Sequence, residues 1–271
     1  MAAAAVNPTD AQLRAGRQER FLDGREPPYI PGMDLAGTVL TEGVRWSAGD
    51  RVIGVVSAWR PSGGAQAELV AVDERSLASM PSTCGFVAGS AVAMNALTAW
   101  VALDTLDVGP DTQVAVLGAG GAVGSVAVEI SVARGAEVLA IARATDRDWL
   151  LRRGAAEVLE RAPETGRHGS AWVVVDATPG DLTSASRLVG HGGRIAAMRP
   201  YAEIVRQDLD VTAVFVPDHL CASEALAGIV DLVERGAIEA RVAMEVTPER
   251  AADAHAAIEA GGLRGRPVIV F

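Results

Sequence analysis

The segment Val114-Ala-Val-Leu-Gly118-Ala-Gly120-Gly121-Ala122-Val123-Gly124-Ser125 constrains the fold of this chain more than any other. An apolar strand runs into a glycine turn and out into a helix of small residues that ends near Arg134-Gly135. A pyrophosphate needs exposed backbone N–H groups and the positive end of a helix, and glycine lets the main chain come that close. The pattern therefore predicts a dinucleotide site in a βαβ unit, with Gly118, Gly121, Ala122 and Val123 at the phosphates. The spacing is Gly-x-x-Gly-x-x-Gly through Gly118, Gly121 and Gly124; Val123 stands where the more common G-x-G-x-x-G needs glycine. A glycine turn that only packs a helix on a sheet is the plain alternative, and the strand before it and the second strand after it argue against that.

About 20 residues past such a turn, an NAD-preferring site carries an acid for the ribose hydroxyl. Here Ile141-Ala142-Arg143 offers a guanidinium instead. The chemistry favours NADPH, with Arg143 and Arg147 on the 2′-phosphate; two arginines on a solvated helix start are the alternative.

Apolar runs at Gln113–Leu117, Glu137–Ile141, Trp172–Asp176 and Arg194–Met198 predict strands of a parallel sheet covered on both faces. Helices are predicted between them, one opened by a capping box of Thr145 and Asp148 and stopped by Gly154. Another follows Ser223, with Leu226, Ile229, Val230 and Val233 on one face and Gly236 as its stop. A third starts at Thr247-Pro248 and ends at Gly261-Gly262, before a last strand over Pro267–Phe271. The first 86 residues read differently, as turns and short strands at Leu35–Leu40, Arg51–Val56 and Ala67–Val72.

At 271 residues, a prior of ~150 per domain gives about 1.8 domains. The fold class is α/β: a small β-rich domain over about residues 1–86, then βαβ units around a parallel sheet.

Composition removes several classes of function. A net charge of −10 disfavours a nucleic-acid partner. The chain has no lysine, which excludes Schiff-base chemistry and a nucleoside-triphosphate P-loop. Cys84 and Cys221 form no CxxC pairing, which fits a reducing, cytoplasmic setting. No uninterrupted apolar run reaches ~18 residues, so no membrane span is expected.

The residues as a set resemble the medium-chain dehydrogenase/reductase superfamily, in its zinc-free quinone oxidoreductase and enoyl reductase branch. The resemblance runs through Ala5-Val-Asn7-Pro8-Thr-Asp10, Ile30-Pro-Gly-Met-Asp34-Leu-Ala-Gly37, Gly49-Asp-Arg-Val-Ile-Gly54, Gly64-Ala-Gln-Ala-Glu68, Leu97-Thr98-Ala99-Trp100, the glycine turn, Ala254-His255 and Gly265-Arg266. It implies a smaller β-rich GroES-like catalytic domain, residues 1–86 and 213–271, interrupted by a Rossmann-type doubly wound nucleotide-binding domain over residues 87–212, a homodimer, and NADPH-dependent hydride transfer to a quinone or α,β-unsaturated carbonyl.

Zinc members of the superfamily hold the metal with cysteine and histidine. Here the cysteine position falls in Asn7-Pro8-Thr9, Met33 stands at the histidine position, and His168, His191, His219 and His255 all lie elsewhere, so no metal is expected. The resemblance nominates Asn7 as a polar group beside the nicotinamide and Thr98 as a cofactor contact, with Asp10 near the site. Helix capping is the alternative role for Asp10, and a turn is the alternative for Asn7. Further cofactor contacts are expected where later strands end, at Ala177, Thr178, Met198, Arg199, Phe215 and Val216. No proton donor stands out; Tyr29 reads as a packing residue, and solvent can protonate the product of a quinone-type reduction.

Family members usually carry about thirty residues before the Val6-Asn7-Pro8 motif, strands whose absence would expose sheet edges. Either the start is misassigned or the substrate pocket is remodelled. Two other functions therefore stay open: an NADP(H)-binding sensor or interaction partner without turnover, and a non-redox cyclase or lyase.

Overall fold

A computed structural model describes residues 1–163, 172–179, 182–198 and 206–271. The chain divides into two compact units, Met1–Met94 with Pro217–Phe271, and Asn95–Val216. The sequence boundaries at 86/87 and 212/213 lie eight and four residues before these.

The first unit opens with β1 (Ala3–Ala5) and α1 (Pro8–Arg14), followed by β2 (Asp34–Thr38), β3 (Arg51–Val55), β4 (Leu77–Ser79) and α2 (Phe86–Ser90). Helix α3 (Ala93–Thr105) leads out of it. The second unit alternates β5 (Gln113–Leu117), α4 (Ala122–Ala133), β6 (Glu137–Ile141), α5 (Arg147–Arg152) and β7 (Glu157–Leu159). It continues with β8 (Trp172–Asp176), α6 (Thr183–Ser186), β9 (Arg194–Ala197) and β10 (Asp210–Ala213). The chain then returns to the first unit with α7 (Ser223–Glu234), β11 (Val242–Val246), α8 (Ala251–Ala260) and β12 (Arg266–Val270).

In the first unit the sheet order is β11-β12-β1-β2-β3-β4. All its pairings are antiparallel except β11 with β12. Ala3, Ala4 and Ala5 are buried on β1, between β12 and β2. In the second unit every pairing is parallel, in the order β10-β9-β8-β5-β6-β7. Counted along the unit this is the doubly wound order 3-2-1-4-5-6, and its topological switch point lies between β5 and β8. Val114–Leu117 and Val138–Ile141 are buried, as strands covered on both faces require.

Two local expectations need correction. Residues 67–72 form no strand; backbone N–H groups just ahead of them are spent on the Pro31-Gly32 turn (Ala65 N to Gly32 O, 2.9 Å; Gln66 N to Pro31 O, 2.9 Å), and Leu69 is exposed. The partner of β3 is instead the short β4. Thr145 does not cap α5, because a 3-10 turn over Ala144–Asp146 comes first and Asp146 takes the N-cap position.

Candidate nucleotide site and a buried carboxylate pair

The glycine turn sits at the C-terminal end of β5, at the switch point of the sheet. Gly118 adopts φ 72° and opens the turn, which Gly121 N closes on Gly118 O at 2.9 Å. Gly121 is the N-cap of α4, and the first i→i−4 bond of that helix runs from Ser125 N to Gly121 O at 2.9 Å. The N–H groups of Ala122, Val123 and Gly124 precede that bond and have no acceptor within the helix. A Cβ at position 124 would fall inside the contact radius of Gly118 O, with Gly118 C at 2.8 Å, so only glycine lets α4 start this close to β5. These amides, at the positive end of a 12-residue helix, fit a nicotinamide dinucleotide's pyrophosphate.

Several residues expected to line the site meet here. A Cβ at position 118 would lie 3.2 Å from Thr178 Cγ2 and 3.4 Å from Ala177 C, so the end of β8 packs against the turn. Asp176, buried at the end of β8, accepts from Thr178 N at 2.8 Å and from Thr178 Oγ1 at 2.5 Å, fixing that loop. Met198 N donates to Asp176 O at 2.9 Å and so follows the same edge. Phe215 is exposed and Val216 buried, both just beyond the edge strand β10. Arg199, Tyr201 and His168 lie outside the described residues.

Arg143 directly follows Ile141-Ala142 and keeps its guanidinium largely in solvent. Its Nε is 3.8 Å from Asp146 Oδ2, a buried carboxylate that sequence reasoning did not single out. Arg147 is differently engaged: its Nη1 donates to Val158 O at 2.6 Å. Thr98 is half-buried in α3.

Asn7 and Asp10 belong to the first unit. Pro8 at the first helical position and Asn7 ahead of it start α1. Asp10 braces that start: its Oδ2 accepts from Asn7 N and its Oδ1 from Gly32 N, both at 2.7 Å. The side chain of Asn7 donates through Nδ2 to Asp34 Oδ2 at 2.6 Å, and Asp34 Oδ1 accepts from Met94 N at 2.6 Å. Both carboxylates are fully buried. Loss of solvent pushes the Asp10 carboxyl up to about 6 and that of Asp34 up to about 7, against the pull of their hydrogen bonds and of Arg266. Asp34 was visible in sequence only as part of the Pro31-Gly-Met-Asp34 motif. Its role follows from burial at the first position of β2.

His255 is buried in α8, with Nε2 3.2 Å from Gln66 Oε1, and burial pushes its pKa down. Tyr29 directs its hydroxyl to Arg25 O at 3.0 Å. Among the described residues no group of three or more His, Cys, Asp or Glu is gathered as metal ligands would be.

Residues 1–82 match the alcohol dehydrogenase GroES-like domain family. The chain is 34% identical over 172 residues to the chloroplastic quinone-oxidoreductase homolog of Spinacia oleracea, covering 60% of this chain and 51% of the relative. It is 27% identical to the quinone oxidoreductase of Mus musculus over 99% of this chain and 87% of that one. These likenesses support the quinone oxidoreductase branch of the medium-chain dehydrogenase/reductase superfamily. An alcohol dehydrogenase superfamily protein from Novosphingobium aromaticivorans has the same fold, with a TM-score of 0.88 at 29% identity over 100% of this chain and 90% of that one. Against the spinach relative the chain spans about half the length.

Proposed function

We propose that this protein is an NADPH-dependent reductase of a quinone or α,β-unsaturated carbonyl. The observation that carries the reading is the glycine turn, whose helix-start amides stand at the switch point between β5 and β8 where a doubly wound sheet binds its ligand. When bound, the nicotinamide supplies the hydride, and conjugation in the acceptor makes a carbon electrophilic enough to take it. The chain's own part is to hold the pyrophosphate on the amides of Ala122, Val123 and Gly124, to seat the dinucleotide against Ala177 and Thr178, and to offer Arg143 to a 2′-phosphate. Within the first unit, Asn7 keeps one amide hydrogen beyond the one given to Asp34 and is the candidate donor to an oxyanion formed on the acceptor. Asp10 serves by bracing the turn that carries Asn7, and Thr98 is retained as a candidate cofactor contact.

The names of the spinach and mouse relatives support the acceptor class. The acidic charge disfavours a nucleic-acid partner and the two free cysteines fit a reducing compartment, which supports a cytoplasmic enzyme acting on a small molecule; the homodimer is proposed on the resemblance to the superfamily alone. The test is to mix the protein with NADPH and a panel of quinones and enones while following nicotinamide absorbance. Oxidation of NADPH by at least one acceptor class is expected. Tight NADPH binding with no oxidation across the panel would overturn the reductase in favour of a binding protein or a non-redox enzyme.

A further inference from the structure

Two buried carboxylates hold different parts of Asn7. Asp10 accepts from its main-chain N–H and from Gly32 N, both at 2.7 Å, and so holds the turn. Asp34 accepts from its side chain through Oδ2 at 2.6 Å, while Oδ1 accepts from Met94 N at 2.6 Å. Because Oδ1 faces a main-chain N–H, a proton taken up by this carboxyl goes to Oδ2, the oxygen that faces Asn7. An O–H donor then meets an N–H donor. Turning the Asn7 amide over does not resolve the clash, because in the capping box of α1 the same side chain faces the Asp10 N–H, a place that suits only its oxygen.

We infer that Asp34 is a positioning residue for the proposed reduction: its carboxylate fixes the Asn7 amide with one N–H left for the oxygen of the acceptor, and a proton taken up on Oδ2 releases that hold. The inference rests on the reductase reading above, and Asp34 acts through Asn7. Loss of solvent raises the Asp34 carboxyl to about 7, against the hydrogen bonds from Asn7 and Met94 N and the pull of Arg266, with Asp10 adding to the rise. The change of charge therefore falls within ordinary assay conditions. Asp10 and Arg266 are the charged groups that face it. Of the elements packed on β2, β1 and α2 carry no titratable side chain, and the one on β3, Arg51, lies opposite Thr38 at the far end of β2. Ionisation thus has opposite effects on two properties: charging a buried carboxylate costs stability, and it aligns the donor for chemistry.

The experiment measures kcat of the full chain from about pH 5 to about pH 8, at saturating NADPH and quinone acceptor, for the native protein and Asp34→Asn. Alongside it, NMR follows solvent exchange of the Asn7 side-chain N–H protons over the same span. In the native protein kcat should fall by about tenfold per pH unit below the midpoint, and one Asn7 side-chain proton, protected above that midpoint, should lose its protection below it. In Asp34→Asn the single amide oxygen can accept from Met94 N or from Asn7 Nδ2 but not from both. At about pH 8 its kcat should be lower by about tenfold to a hundredfold, the acid limb should vanish, and KM for NADPH should stay within about twofold. A merely structural Asp34 gives a native kcat that is flat or falls as pH rises, because ionisation then only weakens the fold, and an Asn7 protection that does not change with pH. Either result overturns the inference, as does an acid limb that survives in Asp34→Asn. The NMR arm decides it should Asp34→Asn fail to fold. If the native protein oxidises NADPH with no acceptor at any pH, the reductase reading itself fails and the inference with it, an outcome distinct from the others.

Discussion

Asn7 Nδ2 and Asp34 Oδ2 are 2.6 Å apart, and both residues are buried. A carboxylate only accepts hydrogen bonds, so an ionised Asp34 fixes the amide of Asn7 with its nitrogen toward β2 and its oxygen away from it. Met94 N takes the other carboxylate oxygen, which fixes the orientation of Asp34 in turn. The residue nominated for chemistry is thus held by a group that the solvent does not reach.

This arrangement predicts how stability depends on pH. The folded-state pKa values of Asp34, about 7, and Asp10, about 6, lie above the usual carboxylate value, so the folded chain holds more protons than the unfolded one in the window from about 4 to 7. The stability these groups contribute is fully present below that window and is lost as pH rises through it. Urea midpoints should fall between pH 5 and pH 8, and Asp34→Asn should flatten the slope. An unchanged slope in Asp34→Asn would assign the pH dependence to other groups.

The glycine turn predicts a contrast between neighbours. Gly124→Ala places a methyl group against the carbonyl of Gly118, main chain against main chain, and should cost about 3 kcal/mol or abolish nucleotide binding. Gly121→Ala brings its Cβ to 3.2 Å from the same oxygen, a gap that a shift of a few tenths of an ångström relieves. It should cost about 1 kcal/mol or less. Thermal melts with and without nucleotide check both.

For coenzyme choice, Arg143→Ala should weaken NADPH binding roughly tenfold or more and NADH binding far less, because a charge-assisted bond to phosphate is worth about 1.5–3 kcal/mol. Equal losses for the two nucleotides, read by titration calorimetry, would remove Arg143 from the 2′-phosphate.

In the second unit, Arg153 Nε donates to Glu129 Oε1 at 2.6 Å, and the Glu129 side chain is fully buried on α4. Arg153→Leu takes the cation from a buried carboxylate and should destabilise the protein by about 3 kcal/mol. Glu129→Gln with Arg153 intact should cost less, and denaturant midpoints of the two variants measure the difference.

How much of this the sequence could show depended on side-chain volume and on distance along the chain. The runs Gln113–Leu117, Glu137–Ile141 and Trp172–Asp176 are β5, β6 and β8 residue for residue, because a strand buried on both faces must be continuously apolar. The glycine turn was legible for the same local reason. Strand β1 was not: Ala3–Ala5 carries no β-branched or aromatic signal and is a strand only because β12 and β2 flank it. Strands β4 and β7, of three residues each, are too short to show a period. Asp34 and Asp146 were missed because what matters about them is contact across distance: Asp34 meets Asn7 27 positions away, and Asp146 packs on the main chain of Gly120.

The place of β1 between β12 and β2 also bears on how the polypeptide is made. Residues 3–5 pair with residues 268–270, so the first sheet cannot close until residues 268–270 have been synthesised. The doubly wound unit is one continuous stretch and has no such wait. On the ribosome, the nascent segment before Asn95 stays without its central neighbour while Asn95–Val216 assembles, a long-range closure that makes the GroES-like half the slower to form and the more exposed to chaperones.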